Sequence, residues 1–252
     1  MLCSLAHAGD APVFGFQDFL LVPLRVHLLS SDDTPALQTT LTDADLERIF
    51  KKVNGVWAQA GIQFYREPVV REAAAQPDAK PREPDAHETA RFYIPPTTRG
   101  AEVFNIYYIK SFDVNGVYFS HPEAIFVKDT ASLRKVEGGI DEPIPRVTSH
   151  ELGHAFSLVH RQDTFNLMAS GTTGTTLNEA EIRQARESAA KRAWILPAAK
   201  CQEQAAALEK DGKLAEALTL YGRLAALPLD AAPEVHAARS KMKPEVKPPV
   251  SP

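Results

Sequence analysis

The stretch His150-Glu151-Leu152-Gly153-His154, followed six residues later by His160, constrains this chain more than any other feature of its 252 residues. Residues four apart on an α-helix are turned by about 400° and separated by a rise of about 6 Å, so His150 and His154 point the same way and can reach one ion. Glu151 then sits to the side, placed to touch water beside that ion rather than the ion itself. His160 cannot share that face, because six residues turn it about 120° away from His154. The helix must stop between the two histidines, and the chain must double back. Three imidazoles then hold zinc and leave a fourth position open, the arrangement of a catalytic rather than a structural site. Chance supplies H-E-x-x-H in roughly 2% of chains of this composition, and the third histidine lowers that by about thirtyfold.

The rest of the chain reads as alternating strands and helices. Residues 19–29 form an apolar run ended by Ser30-Ser31-Asp32-Asp33, which predicts a buried strand. Thr42 and Asp45 cap a helix whose Leu46, Ile49, Phe50, Val53 and Trp57 share one face. Gly61 stands where a helix end takes a left-handed residue, and residues 62–65 alternate as a second strand. Strand, helix, strand implies a parallel pair with a right-handed crossover. Residues 66–92 are polar, carry four prolines and read as a long surface loop. Strands resume at 103–109, 116–119 and 124–127, with short links that predict antiparallel pairing at one edge. Pro145 opens the helix that carries the histidines. Asn178 and Glu181 form the capping box of a further helix, with Leu177 and Ile182 as its staple and Ala185 and Ala189 on its buried stripe. Residues 198–228 read as two helices broken at Asp211-Gly212.

HELGHAFSLVH resembles the metzincin signature H-E-x-x-H-x-x-G-x-x-H, and Asn166-Leu167-Met168-Ala169-Ser170 resembles the Met-turn that follows it. The resemblance spans residues 19–194 and is highly specific over 150–168. It implies an α/β (α+β) fold: a metzincin-like zincin domain with a twisted, mixed five-stranded sheet, an antiparallel edge strand, an active-site helix and a C-terminal helix, followed by a helical hairpin. It also implies a zinc endopeptidase with one catalytic Zn2+ on His150, His154 and His160, and Glu151 as the base. Met168 would support the site from beneath. Gly116, Val117, Tyr118 and Phe119, on the edge strand, would pair with an extended peptide or protein substrate. Residues 171–176 would wall the specificity pocket, and their small side chains suggest an open one. The family's glycine between the second and third histidines is Ser157 here. Holding His160 in place predicts that Ser157 takes a positive φ, at a cost of about 1–2 kcal/mol.

These readings divide the chain into an N-terminal segment (1–18), the metallopeptidase domain (19–196), a helical hairpin (197–230) and a proline-rich, disordered tail (231–252). The hairpin, LEKDGKLAEALTLYGRLAALP with Gly212, Ala217, Tyr221 and Pro228, resembles the second half of a tetratricopeptide repeat. One such unit packs on the peptidase domain, or else docks a protein partner through residues 197–230. A net charge of -4 offers no basic field, so nucleic acid is not an expected partner. No apolar run reaches the length of a membrane span. Ala6-His7-Ala8 ahead of Gly9-Asp10 reads as the end of a secretory signal starting upstream, or as a plain terminal segment. A secreted or periplasmic location is favoured over a cytoplasmic one. Cys3 and Cys201 form no framework, and His27, His87, His121 and His236 lack ligand spacing.

Three alternatives stay open. One is a zinc-holding scaffold acting through its C-terminal helices, against which the intact Glu151 argues. Another is a zinc hydrolase of non-peptide bonds, as in bacterial endoribonucleases with a related three-histidine helix but without that glutamate. The last is a site of gluzincin type with Glu179 or Glu181 as third ligand, which His160 makes unnecessary.

Overall fold

A computed structural model describes residues 13–80 and 85–242. The signal-like residues, Cys3 and the last ten residues of the expected tail lie outside the described residues.

The central strand is β1 (Leu20–Ser30), buried along nearly its whole length. Its neighbours are β2 (Ile62–Arg66), parallel to its first half, and β4 (Phe104–Ile109), parallel on the other side. Then come β6 (Glu123–Lys128), parallel to β4, and β5 (Gly116–Ser120), antiparallel to β6 at the edge. The order β2-β1-β4-β6-β5 is thus a mostly parallel sheet with an antiparallel edge strand. Among the described residues, two short strands enlarge the expected five to seven. The chain β3 (Val70–Ala73) continues the β2 side of β1, and β7 (Leu196–Pro197) pairs antiparallel with the start of β1. Val70-Arg71-Glu72-Ala73 shows too little alternation, and β7 is too short, for periodicity to mark either as a strand. The expected surface loop at 66–92 therefore contains β3 and a 3₁₀ segment, Ala86–Tyr93.

Period-two alternation sorts the strand residues between two faces. Phe104, Ile106 and Tyr108 of β4 join Ile125 and Val127 of β6 in the main core, while Tyr107, Ile109, Ala124 and Phe126 point to the opposite face. Three helices pack on the main core. The first, α1 (Asp43–Trp57), buries Leu46, Ile49, Phe50, Val53 and Trp57; its N-terminus is closed by Thr42, whose hydroxyl accepts from the Asp45 N–H at 3.2 Å. Gly61 then takes φ 62, the left-handed conformation expected of it. The second is α2 (Pro143–Ala155), the helix of the histidine motif. It begins at Pro143, two residues before the proline expected to open it. The third helix, α3 (Glu179–Ala190), starts on Asn178, whose side chain accepts from the Glu181 N–H at 2.9 Å.

The hairpin α4 (Ala198–Lys210) and α5 (Leu214–Ala225) forms as the periodicity predicts, but it is joined by a third helix, α6 (Pro233–Lys241), where a disordered tail was expected. Val235 and Ala238 of α6 are buried against the hairpin, and that contact supplies the order that a short proline-led segment lacks alone. All three helices share a separate apolar cluster with Phe16, Phe19 and Leu21.

Candidate metal centre

His150 and His154 lie one turn apart on α2, and their Nε2 atoms are 3.1 Å apart. His160 returns to the same point: its Nε2 is 3.1 Å from that of His154 and 3.2 Å from that of His150. Ligands about 2.0–2.1 Å from one tetrahedral ion stand about 3.3 Å from one another, so the triangle matches a single ion. The second ring nitrogens fix the tautomers. Nδ1 of His150 is 2.8 Å from the Leu167 carbonyl oxygen, and Nδ1 of His154 is 2.9 Å from that of Leu158. A carbonyl only accepts, so Nδ1 carries the proton in both rings and Nε2 keeps its lone pair for a ligand. Burial, helped by the Arg146 guanidinium, pushes the His150 imidazole down to about 3, and burial lowers His154 as well. Both are neutral near pH 7, the form that binds metal.

The turn between the second and third histidines is built as expected. Ser157 has φ 69. Its N–H donates to the His154 carbonyl at 2.8 Å, and the Leu158 N–H donates to the Gly153 carbonyl at 2.9 Å. These are the two bonds of a Schellman helix end, with serine in the place glycine usually takes. The strain is held by α3: Gln184 Nε2 donates to the Ser157 carbonyl at 2.5 Å, and the Ser157 and Ser188 hydroxyls lie 3.3 Å apart.

Beneath the helix, Met168 is fully buried, and a Cβ on Gly153 would lie 2.5 Å from its sulfur. A side chain at 153 would have to displace the end of Met168 from this position. A buried carboxylate ties the loop down. Glu181 accepts from Arg161 Nε at 2.7 Å, from Asn166 Nδ2 at 2.7 Å and from the Asn178 N–H at 2.9 Å. Asn166 Oδ1 in turn accepts from the Met168 N–H at 2.7 Å. Glu181 is thereby committed to the loop and α3, and Glu179 is exposed, which leaves His160 as the third member of the triad.

Glu151 is buried against the edge strand β5. The Tyr118 N–H donates to its carboxyl, and a Cβ on Gly116 would lie 2.8 Å from Glu151 Oε1. Burial raises the Glu151 carboxyl to about 8, against the opposing pull of Arg146. The edge strand expected to pair with substrate thus runs directly over Glu151. On one side of this line lies a cavity of about 260 Å³ bounded by Gly116, Arg146, His150, Glu151, Ser170 and Gly171, among others. On the other, a shallower groove passes Val117, Tyr118, Leu158 and Val159.

Of the segment expected to wall the pocket, Gly171 does so, whereas Thr172 and Thr173 are buried and the Gly174 carbonyl turns inward to accept from Arg146 Nε at 3.1 Å. Beside the small residues expected there, the wall of the pocket also carries Arg146. Sequence reasoning missed this residue. Its signal was present: a charged side chain four positions before His150, on the same helical face. The remaining histidines stay outside the site. His27, for example, is fully buried between Glu72 and Asn105 and stacks on Tyr107 at 4.2 Å. Cys201 is a buried free thiol, pushed up to about 11 by burial.

No family model and no curated protein matches the chain. Among solved structures, archaemetzincin from Methanopyrus kandleri is similar over 66% of this chain and 94% of its own, at 13% identity and a TM-score of 0.44. A chain from a structure of a chaperone-substrate complex is similar over 69% of this chain and 34% of its own, at 12% identity and a TM-score of 0.46. Both scores fall below 0.5, so the functional reading rests on the geometry of the site itself.

Proposed function

We propose that the chain is a zinc-dependent endopeptidase, with the ion on His150, His154 and His160 and Glu151 as general base. One observation carries this: three Nε2 atoms converge within 3.1–3.2 Å of one another while two of the rings are locked in the ligand tautomer. Open sides at the cavity and the groove fit a catalytic rather than a closed structural site. Bound zinc would supply a Lewis acid that polarises a carbonyl and acidifies water.

The chain's own groups account for the rest. Glu151 takes the proton of the attacking water and returns it to the leaving nitrogen. Its carboxyl is oriented by the Tyr118 N–H and screened from solvent by β5, which keeps the proton local. The β5 backbone at Gly116–Ser120 offers a sheet edge along which an extended peptide can lie, next to the base. Met168 and the Glu181 network hold the ligand loop. The C-terminal helices are a buttress packed on Phe16 and Phe19, just before β1, and on Leu21 within it.

The test is zinc content by elemental analysis, combined with cleavage of an unbiased peptide library with and without chelator. Wild type should bind one zinc and lose activity on chelation. Glu151→Gln should keep the zinc and lose about 10²–10⁴-fold in turnover. Cleavage insensitive to chelator would overturn the reading.

A further inference from the structure

We propose that the cavity beside the histidine triad selects an acidic side chain of the substrate, and that Arg146 is the residue that reads it. The inference rests on the peptidase reading above and adds a substrate class to it. Arg146 is 2% exposed and forms no ion pair among the described residues. Its Nε donates to the Gly174 carbonyl at 3.1 Å, and its Nη2 donates to the Ala169 carbonyl at 2.5 Å and the Asn166 carbonyl at 3.4 Å. Nη1 differs. Among the described residues its one contact at hydrogen-bond distance is His150 Nδ1 at 3.2 Å, which itself donates to Leu167 and so cannot accept. Both Nη1 hydrogens are left without an acceptor on a buried cation, at the wall of a cavity.

The other walls do not supply one. Val114, Leu133 and Val147 are apolar, and none of the polar lining side chains, Asn115, Glu151, His160 and Ser170, makes a hydrogen bond to Nη1. A buried guanidinium with two free hydrogens is satisfied best by a carboxylate, through short, charge-assisted bonds. The cavity, about 260 Å³, has room for one side chain rather than a large ligand. A lysine or arginine entering it would meet the Arg146 charge, and an apolar side chain would leave Nη1 unsatisfied. An aspartate or glutamate beside the cleaved bond satisfies both conditions.

The experiment uses full-length protein and matched peptides that differ only in glutamate, glutamine or leucine at each position flanking the cleaved bond. At one position the glutamate peptide should have a kcat/KM about 10- to 100-fold above the glutamine peptide. Fluorescence anisotropy on the metal-free protein should give the same ranking in Kd. Arg146→Lys should keep part of the preference. Arg146→Gln should remove it, bringing the glutamate and glutamine peptides to equal Kd and equal kcat/KM whatever the absolute rate of the variant. Because the peptide comparison is made in wild type, it stands even if a substitution disturbs the carbonyls that Arg146 holds. Cleavage and binding without acidic preference would overturn this inference and leave the peptidase reading intact. Acidic preference in binding with no cleavage of any peptide would do the reverse.

Discussion

Glu151 and Ser157 each sit in a conformation or environment that their residue type resists. A carboxyl raised to about 8 in the metal-free chain is an uncharged group bought by burial, and linkage gives that a sign. Below about pH 4 both the folded and the unfolded chain hold the proton; between there and about pH 8 only the folded chain does. Wild-type stability therefore falls as pH rises through that window. Glu151→Gln has no proton to lose, so its stability advantage over metal-free wild type should widen from about pH 5 to about pH 8, read as urea unfolding free energies. A gap that does not change with pH would mean the carboxyl is not desolvated. The relative placement of His150, His154 and Glu151 was legible in the motif, because helical periodicity alone decides which way they point. Arg146 was not, because its role depends on where carbonyls from residues 166, 169 and 174 end up.

At the scale of elements, the site depends on α2 stopping in one place and the loop after it returning by one route. Gly153 admits Met168, Ser157 turns the chain, and Glu181 joins the loop to α3. Removing that carboxylate with Glu181→Ala should cost about 1–3 kcal/mol of stability, since the buried Asn166 amide loses its partner and the Asn178 N–H and Arg161 lose theirs. Because the loop also carries the Leu167 carbonyl that orients His150, zinc affinity should fall about 10- to 100-fold. Metal competition titrations on the folded variant check this, and an unchanged zinc affinity would confine Glu181 to a capping role. The capping boxes at Thr42 and Asn178 were both readable in the sequence, as their bonds span three residues. The network through Glu181 was readable only as a cap; its reach to Arg161 is a contact across 20 positions.

Over the whole molecule, one sheet carries three apolar clusters, and the C-terminal helices bury the one that contains Phe16, Phe19 and Leu21. Each of those side chains is worth about 1.5–3 kcal/mol when buried, together comparable to the stability of a typical domain. A chain ending at residue 197 should therefore aggregate or lose cooperative unfolding, as followed by calorimetry and light scattering; an unchanged midpoint would show the helices to be a separable appendage. What the sequence determined by itself was whatever repeats within a few residues: the buried strand β1, the faces of α1 and α3, the two aligned histidines, and the need for a left-handed turn before the third. Tertiary structure alone decided the pairing of β3 and β7, the order of α6, the clamp that α3 places on Ser157, and the unsatisfied Arg146 cation in the pocket. Local periodicity constrains dihedral angles and faces. Those other features depend on which distant groups meet, and that follows only once the sheet and its helices have closed on one another.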